Sequence, residues 1–295
     1  MTSRHRRRWT ITAAAVLAAA VIVVGVLCLS RAGQAQAAAT PEAVTTSATP
    51  TATIPAVPAV DAATVQALPE ARYDAVIGGL LAFDGDAQTT AKVYTAAADL
   101  PLFGQDRVTP VARLAATDFL DEATPVVVVQ TEGPWALVLT PARRVLPSDA
   151  QGTASAQTAA WTPLAALTLQ TTPTSRVVIS TTAQTVQIVA ADGTVLSSFG
   201  AAVGAADTPT PTGVVGYLEA RYTDPSQGTG DQPIQLTSLH STAADEPYGG
   251  SDGGLIGVHY WPDRDGAISH GCVRVDSDAI AALSALPLGT LVEVV

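Results

Sequence analysis

The stretch Ile268-Ser269-His270-Gly271-Cys272-Val273-Arg274-Val275 sets a thiol between a His-Gly pair and an arginine. A thiolate is a strong nucleophile, but a free thiol at neutral pH is mostly protonated and needs a base or a positive neighbour. Three histidines follow the N-terminal apolar segment: His240, His259 and His270. His259 closes the apolar run Leu255-Ile256-Gly257-Val258-His259 and precedes the polar stretch Pro262 to Gly266. Strand, loop and return at the cysteine bring it beside Cys272, so His259 is the expected general base. On a strand, His270 and Cys272 share a face, and His270 serves equally as partner or as a hydrogen bonder fixing the fold. His240, after the strand Gln235 to Leu239, reads as structural or exposed. The plainer alternatives are imidazoles bonded to backbone and a buried, inert cysteine.

Gly271 permits backbone geometry that other residues resist. A tight turn there aims the N–H groups of His270, Gly271 and Cys272 at one point, as an oxyanion hole requires. Arg274 is suited to stabilise a thiolate or clamp a carboxylate; a local pair with Asp276 is the alternative. The chain has no asparagine, which removes a Cys-His-Asn triad. A group orienting the imidazole is then a backbone carbonyl, an acid or a hydroxyl; the carbonyl of Tyr260 and Ser269 are the candidates. The His and Cys spacings match no compact zinc pattern, and neither GxxxxGK[ST] nor GxGxxG occurs. No metal or cofactor is expected.

The elements that must position these groups follow an export segment. Residues 4–8 read RHRRR and precede an apolar run from Trp9 to Leu29, long enough to span a bilayer. Residues 1–37 are therefore a signal peptide, with cleavage after Ala37 or Ala39, or a membrane anchor with a cytoplasmic N-terminus. Cys28 lies in this run behind a large Leu27, a poor lipid-attachment site, so Cys272 has no intramolecular partner. The chain carries net −11, yet residues 1–31 hold five Arg and no acid. So acidic an exported body excludes nucleic acid as a partner. Residues 38–66, rich in Ala, Thr and Pro, read as an extended tether.

Over 67–100 the pattern predicts a partly helical start, with candidates at Ala71–Phe83 and Thr89–Asp99. Val126 to Gln130 and Trp135 to Leu139, split by Glu132-Gly133-Pro134, predict a hairpin. Trp161 lies in a further strand, and both tryptophans read as core. Residues 67–170 resemble an SH3-like β module. Residues 175–295 predict a second all-β unit. Its strands are Arg176–Ser180, Thr185–Ala190, Val195–Phe199 after an Asp192-Gly193 turn, Val214–Leu218 and a final strand over 288–295. A short helix covers Ser277–Leu286.

At Ser269-His270-Gly271-Cys272-Val273-Arg274 the sequence resembles the L,D-transpeptidases of the YkuD family. The turn at Asp207 to Gly213, the glycine-rich loop before His259, Asp278-Ala279-Ile280 and Pro287-Leu288-Gly289-Thr290 extend the resemblance over 175–295. An SH3-like module is similar to the accessory part of secreted actinobacterial members. The resemblance implies a mainly β chain with a YkuD-type β-sandwich. It implies that Cys272 attacks the third-residue carbonyl of a peptidoglycan tetrapeptide stem and expels D-Ala, forming a thioester. The amine of a second stem then forms a third-to-third cross-link. His259 would move the protons, and N–H groups at His270, Gly271 and Cys272 would hold the oxyanion. Ser269, Arg274 and Tyr260 would support them, and carbapenems would acylate Cys272. Tyr260-Trp261 stand where many members have Gly and a small polar residue, and the span from His259 to Cys272 is shorter. Water as acceptor, an L,D-carboxypeptidase, therefore stays open, as does a wall-binding scaffold with an idle thiol.

Overall fold

The computed structural model describes residues 54–85, 91–151, 154–206, 208–227, 229–243 and 254–295. The segment read as an export signal or anchor, Cys28, most of the stretch read as a tether, Asp207 and most of the glycine-rich loop before His259 lie outside them.

The chain is mainly β. Its first sheet comprises β1 (Leu81–Ala82), β2 (Lys92–Ala96), β3 (Leu100–Phe103), β4 (Pro110–Leu114), β5 (Val126–Glu132), β6 (Trp135–Thr140), β7 (Thr158–Pro163) and β8 (Leu167–Thr171). The order is β4-β3-β7-β6-β5-β2-β8, with β1 on β7. The expected hairpin is β5–β6. Glu132 faces Trp135 across Gly133-Pro134, and Gly133 takes φ +56°. Glycine at the first central position and proline at the second suit the II′ turn that matches strand twist. Trp135 and Trp161 are buried with Phe103.

The helical start is not observed. Residues 71–83 form turns and β1, tied to the sheet by Ile77 N–H to Arg143 O (2.8 Å) and Arg143 N–H to Ala75 O (2.9 Å). Gly78-Gly79 weakens a helix there. Lys92-Val93-Tyr94-Thr95-Ala96 is a strand because Val, Tyr and Thr suit a pleated surface and β5 and β8 flank it. Among the described residues of this region the one short helix, α1 (Ala62–Gln66), lies earlier, N-capped by Asp61. Residues from 54 onward do not behave as a tether: Trp135 Nε1 donates to Pro55 O at 2.7 Å, and Val57 and Val60 pack on the Trp135 cluster.

The second sheet comprises β9 (Ser175–Ser180), β10 (Thr185–Ala190), β11 (Val195–Gly200), β12 (Ala202–Val203), β13 (Val214–Tyr222), β14 (Ile234–His240), β15 (Leu255–Tyr260), β16 (Val273–Val275) and β17 (Leu291–Val294). Helix α2 (Ser277–Ser284) lies before β17. The order is β11-β10-β9-β17-β13-β14-β15-β16-β12. One residue separates β11 from β12, yet they end the path at opposite edges. The first half of β13 pairs with β17 and the second with β14, with a register shift between Leu218 and Ala220. The path therefore folds over into a sandwich, filled by Ile179, Leu218, Leu239, Ile256, Val273 and Ile280 among others.

The two sheets share a seam. Val215, Tyr217 and Leu291 bury against Val127, Leu139 and Ala159; each large apolar side chain so buried contributes roughly 1.5–3 kcal/mol. Several polar groups of the seam are matched. Ser238 Oγ donates to Gln157 Oε1 at 2.6 Å, while Gln157 Nε2 donates to the carbonyls of Thr140 and Thr158. His240 N–H donates to Ala156 O at 3.0 Å.

Candidate active site

β15 and β16 lie parallel, with Val258 opposite Val273 and His259 opposite Arg274. Alternation then sorts the side chains. Ile256, Val258, Val273 and Val275 enter the sandwich core. Leu255, Gly257, His259 and Trp261 face a cavity of about 510 Å³ with His270, Cys272 and Arg274. Tyr222, Gln227, Ile234 and Leu236 complete its walls.

Cys272 is half-buried and unoxidised. Its Sγ lies 3.5 Å from Leu255 O. Burial pushes the thiol above its ordinary value, against the opposing pull of a Gly257 backbone hydrogen bond and the Arg274 charge. Burial likewise pushes the His259 imidazole below its ordinary value; the Tyr260 carbonyl opposes this and Arg274 adds to it. Both shifts favour neutral forms. The resting pair is thus thiol and neutral imidazole.

His259 Nδ1 lies 3.0 Å from Tyr260 O. A carbonyl only accepts, so Nδ1 carries the proton and Nε2 keeps its lone pair. The Tyr260 side chain packs on the sandwich core. Trp261 meets the His259 ring edge-on at 5.9 Å, and the Arg274 guanidinium lies 5.4 Å from the Trp261 centroid. The alternative Arg274–Asp276 pair does not form among the described residues. Asp276 instead caps α2, accepting from Ala279 N–H at 2.8 Å.

The turn from Ser269 to Cys272 is pinned from behind. Gly204 N–H donates to Ser269 Oγ at 2.6 Å, and Ser269 O accepts from Ala205 N–H and the Thr208 hydroxyl. The Thr210 hydroxyl donates to Gly271 O at 2.6 Å. In a trans peptide, C=O and N–H point in opposite directions. Holding the carbonyls of Ser269 and Gly271 against residues 204–210 therefore turns the N–H groups of His270 and Cys272 the other way. Gly271 takes φ +96°, and a Cβ there would sit 3.2 Å from Ile256 Cδ1. Of the two readings of this stretch, strand and tight turn, the turn holds: the chain bends through His270 to Cys272 and β16 begins at Val273. Both side chains still line the cavity, and His270 is exposed.

His240 does not line this cavity. It is 2 % exposed, its Nε2 lies 2.9 Å from Tyr73 O, and burial followed by the Arg143 charge lowers its pKa to about 4. Sequence reasoning missed Tyr222, Gln227, Ile234 and Leu236 as cavity walls. Tyr222 stands at the end of an aromatic ladder from the first sheet: Tyr73 to Phe119 at 4.9 Å, Phe119 to Tyr222 at 5.8 Å, both edge-on.

Residues 174–294 match the model of the YkuD family, the L,D-transpeptidase catalytic domain. No curated protein matches the chain. Solved structures similar to it include an L,D-transpeptidase from Mycobacterium smegmatis at 17 % identity, covering 55 % of this chain and 90 % of that one, with a TM-score of 0.34. L,D-transpeptidase 3 from Mycobacterium tuberculosis, in complex with a faropenem-derived adduct, is 16 % identical. It covers 58 % of this chain and 90 % of that one, with a TM-score of 0.33.

Proposed function

Taking residues 174–294 as a YkuD L,D-transpeptidase catalytic domain, we propose that the protein cross-links peptidoglycan stems through a thioester on Cys272. The observation that carries this is the pairing in one cavity of Cys272 with an imidazole whose Nδ1 is held by Tyr260 O, leaving Nε2 as the base. Nε2 of His259 takes the thiol proton as Sγ attacks the third-residue carbonyl carbon of a tetrapeptide stem. The oxyanion is received by N–H groups of the 270–272 turn. Collapse breaks the peptide bond, and the leaving D-Ala amine takes the proton from His259. An amine of a second stem then attacks the thioester, gives its proton to Nε2, and leaves a third-to-third cross-link and the thiol. Arg274 lowers the cost of the transient thiolate. No metal or cofactor enters this scheme.

A second reading, an L,D-carboxypeptidase, has one observation in its favour. Trp261 stands beside His259 in the cavity wall and narrows the space for an acceptor amine. Carbapenems, as strained acyl donors, are expected to acylate Cys272. Residues 67–170 are read as an SH3-like accessory module, and the apolar run 9–29 as the device that exports or anchors the chain at the cell envelope.

The test is mass spectrometry of the full chain incubated with a disaccharide-tetrapeptide, with Cys272→Ala as control. Dimers lacking one D-Ala, absent from the control, support transpeptidation. Trimmed tripeptide monomers without dimers favour the hydrolase, and the absence of any Cys272-dependent product rejects both.

A further inference from the structure

The first sheet carries a groove of about 640 Å³ that takes no part in this chemistry. Arg107 lines it. The guanidinium lies 3.6 Å from the ring centroid of Trp161, and Nη2 donates to Glu132 Oε2 at 2.5 Å. These contacts fix the guanidinium plane. They leave Nε and Nη1 without an acceptor among the described residues, although the side chain is only 6 % exposed. An unmet charged donor in a buried place is costly. The backbone adds to the cost, because Arg107 takes φ +56°, a left-handed conformation that non-glycine residues avoid. Unmet donors and strain thus coincide at one groove-lining residue. Arg144 lines the same groove, is exposed, and has no ion pair or hydrogen bond among the described residues. Two guanidiniums against the single carboxylate of Glu132 leave an excess of positive charge on a chain of net −11.

A guanidinium edge matches a planar carboxylate through paired N–H···O bonds. The exposed amides of Gln105 and Gln130 at the groove supply donors and acceptors for peptide groups. We propose that this groove binds the free carboxylate of a peptide. On the reading of function above, on which the identity of the peptide rests, it is a wall stem held by the first sheet while Cys272 works in the second.

The probe is a tetrapeptide stem, titrated into the ¹⁵N-labelled full chain carrying Cys272→Ala, with the indole N–H resonances of Trp161 and Trp261 followed by NMR. Trp161 reports the groove and Trp261 the catalytic cavity. Expected are a saturable shift of Trp161 and an affinity about tenfold lower or worse with Arg144→Ala. A similar loss is expected when the peptide's carboxylates are replaced by carboxamides. Arg144 is exposed, so the variant tests recognition without disturbing the Arg107–Trp161 stack. A Trp161 resonance that does not move, or moves equally with Arg144→Ala or with the carboxamide peptide, overturns the proposal. If Cys272-dependent dimers form while Trp161 is unmoved, the groove fails and the catalytic reading stands. If Trp161 shifts as expected while no Cys272-dependent product forms, the groove stands and the catalytic reading fails.

Discussion

At His259 and Cys272 the direction of each shift predicts a pH profile. Burial lowers the imidazole and raises the thiol. Below the His259 pKa the ring is protonated and cannot take the thiol proton. Above the Cys272 pKa the shared proton is gone and none can be given to the leaving amine. The profile of kcat/KM is therefore expected to have its acid limb below the ordinary imidazole value of 6.5 and its alkaline limb above the ordinary thiol value of 9.0. Arg274 lowers both groups, so Arg274→Gln is expected to move both limbs upward, read from pH–rate profiles of the two proteins. Cys272 and His259, the proposed nucleophile and base, were legible in the sequence because their chemistry is carried by residue type and by one strand-loop-return. Tyr222, Ile234 and Leu236 were not. An apolar residue on a two-sided strand reads as core whichever face it occupies, and only the pairing of β14 with β15 shows which face meets the cavity.

At the scale of the element, Gly204, Ala205, Thr208 and Thr210 act as the clamp of the turn from Ser269 to Cys272. Thr210→Val removes the hydroxyl that holds Gly271 O while keeping the side chain's shape, leaving a buried carbonyl unmet. A stability loss of about 1–3 kcal/mol is expected, measured by denaturant unfolding. A fall in kcat of about tenfold is expected with it as the Cys272 N–H loses its fixed direction. Ser269→Ala should behave alike, since Gly204 N–H loses its acceptor. Strands were readable where β-branched runs met turn chemistry, as at Gly133-Pro134 and Asp192-Gly193. Residues 71–83 misled because their alanines carry helix propensity, whereas the segment is held by backbone bonds to Arg143, distant in sequence. The clamp itself was invisible. Asp207 to Gly213 reads as a turn, and nothing local says that its hydroxyls reach a loop some sixty residues on.

Across the whole molecule, the seam between the sheets makes the catalytic half dependent on the other. Residues 172–295 expressed alone would expose Val215, Tyr217 and Leu291 together, and strip Tyr222 of Phe119. Sedimentation should show association or aggregation of this fragment where the full chain stays dispersed. The seam also holds two titrating groups of opposite sign. His240, with its pKa lowered from 6.5 to about 4, binds fewer protons folded than unfolded, so its contribution is lost as pH falls from 6.5 toward 4. Glu219, on β13 beside Asp118, is raised from 4.5 to about 8, chiefly by burial and then by the Asp118 charge. It binds more protons folded, so its contribution is lost as pH rises from 4.5 toward 8. Each effect is on the order of a few kcal/mol. Between 4.5 and 6.5 the two slopes oppose and largely cancel; above 6.5 the Glu219 slope stands alone. Glu219→Gln keeps the shape and deletes that slope. Measured by urea unfolding from pH 4 to 9, the variant should be more stable than the parent at pH 8 and flat above 6.5. It should lose stability on acidification, where the parent is level. A Glu219→Gln curve parallel to the parent's throughout would mean that this carboxyl is already ionised in the folded protein, with Asp118 accommodated by a rearranged seam.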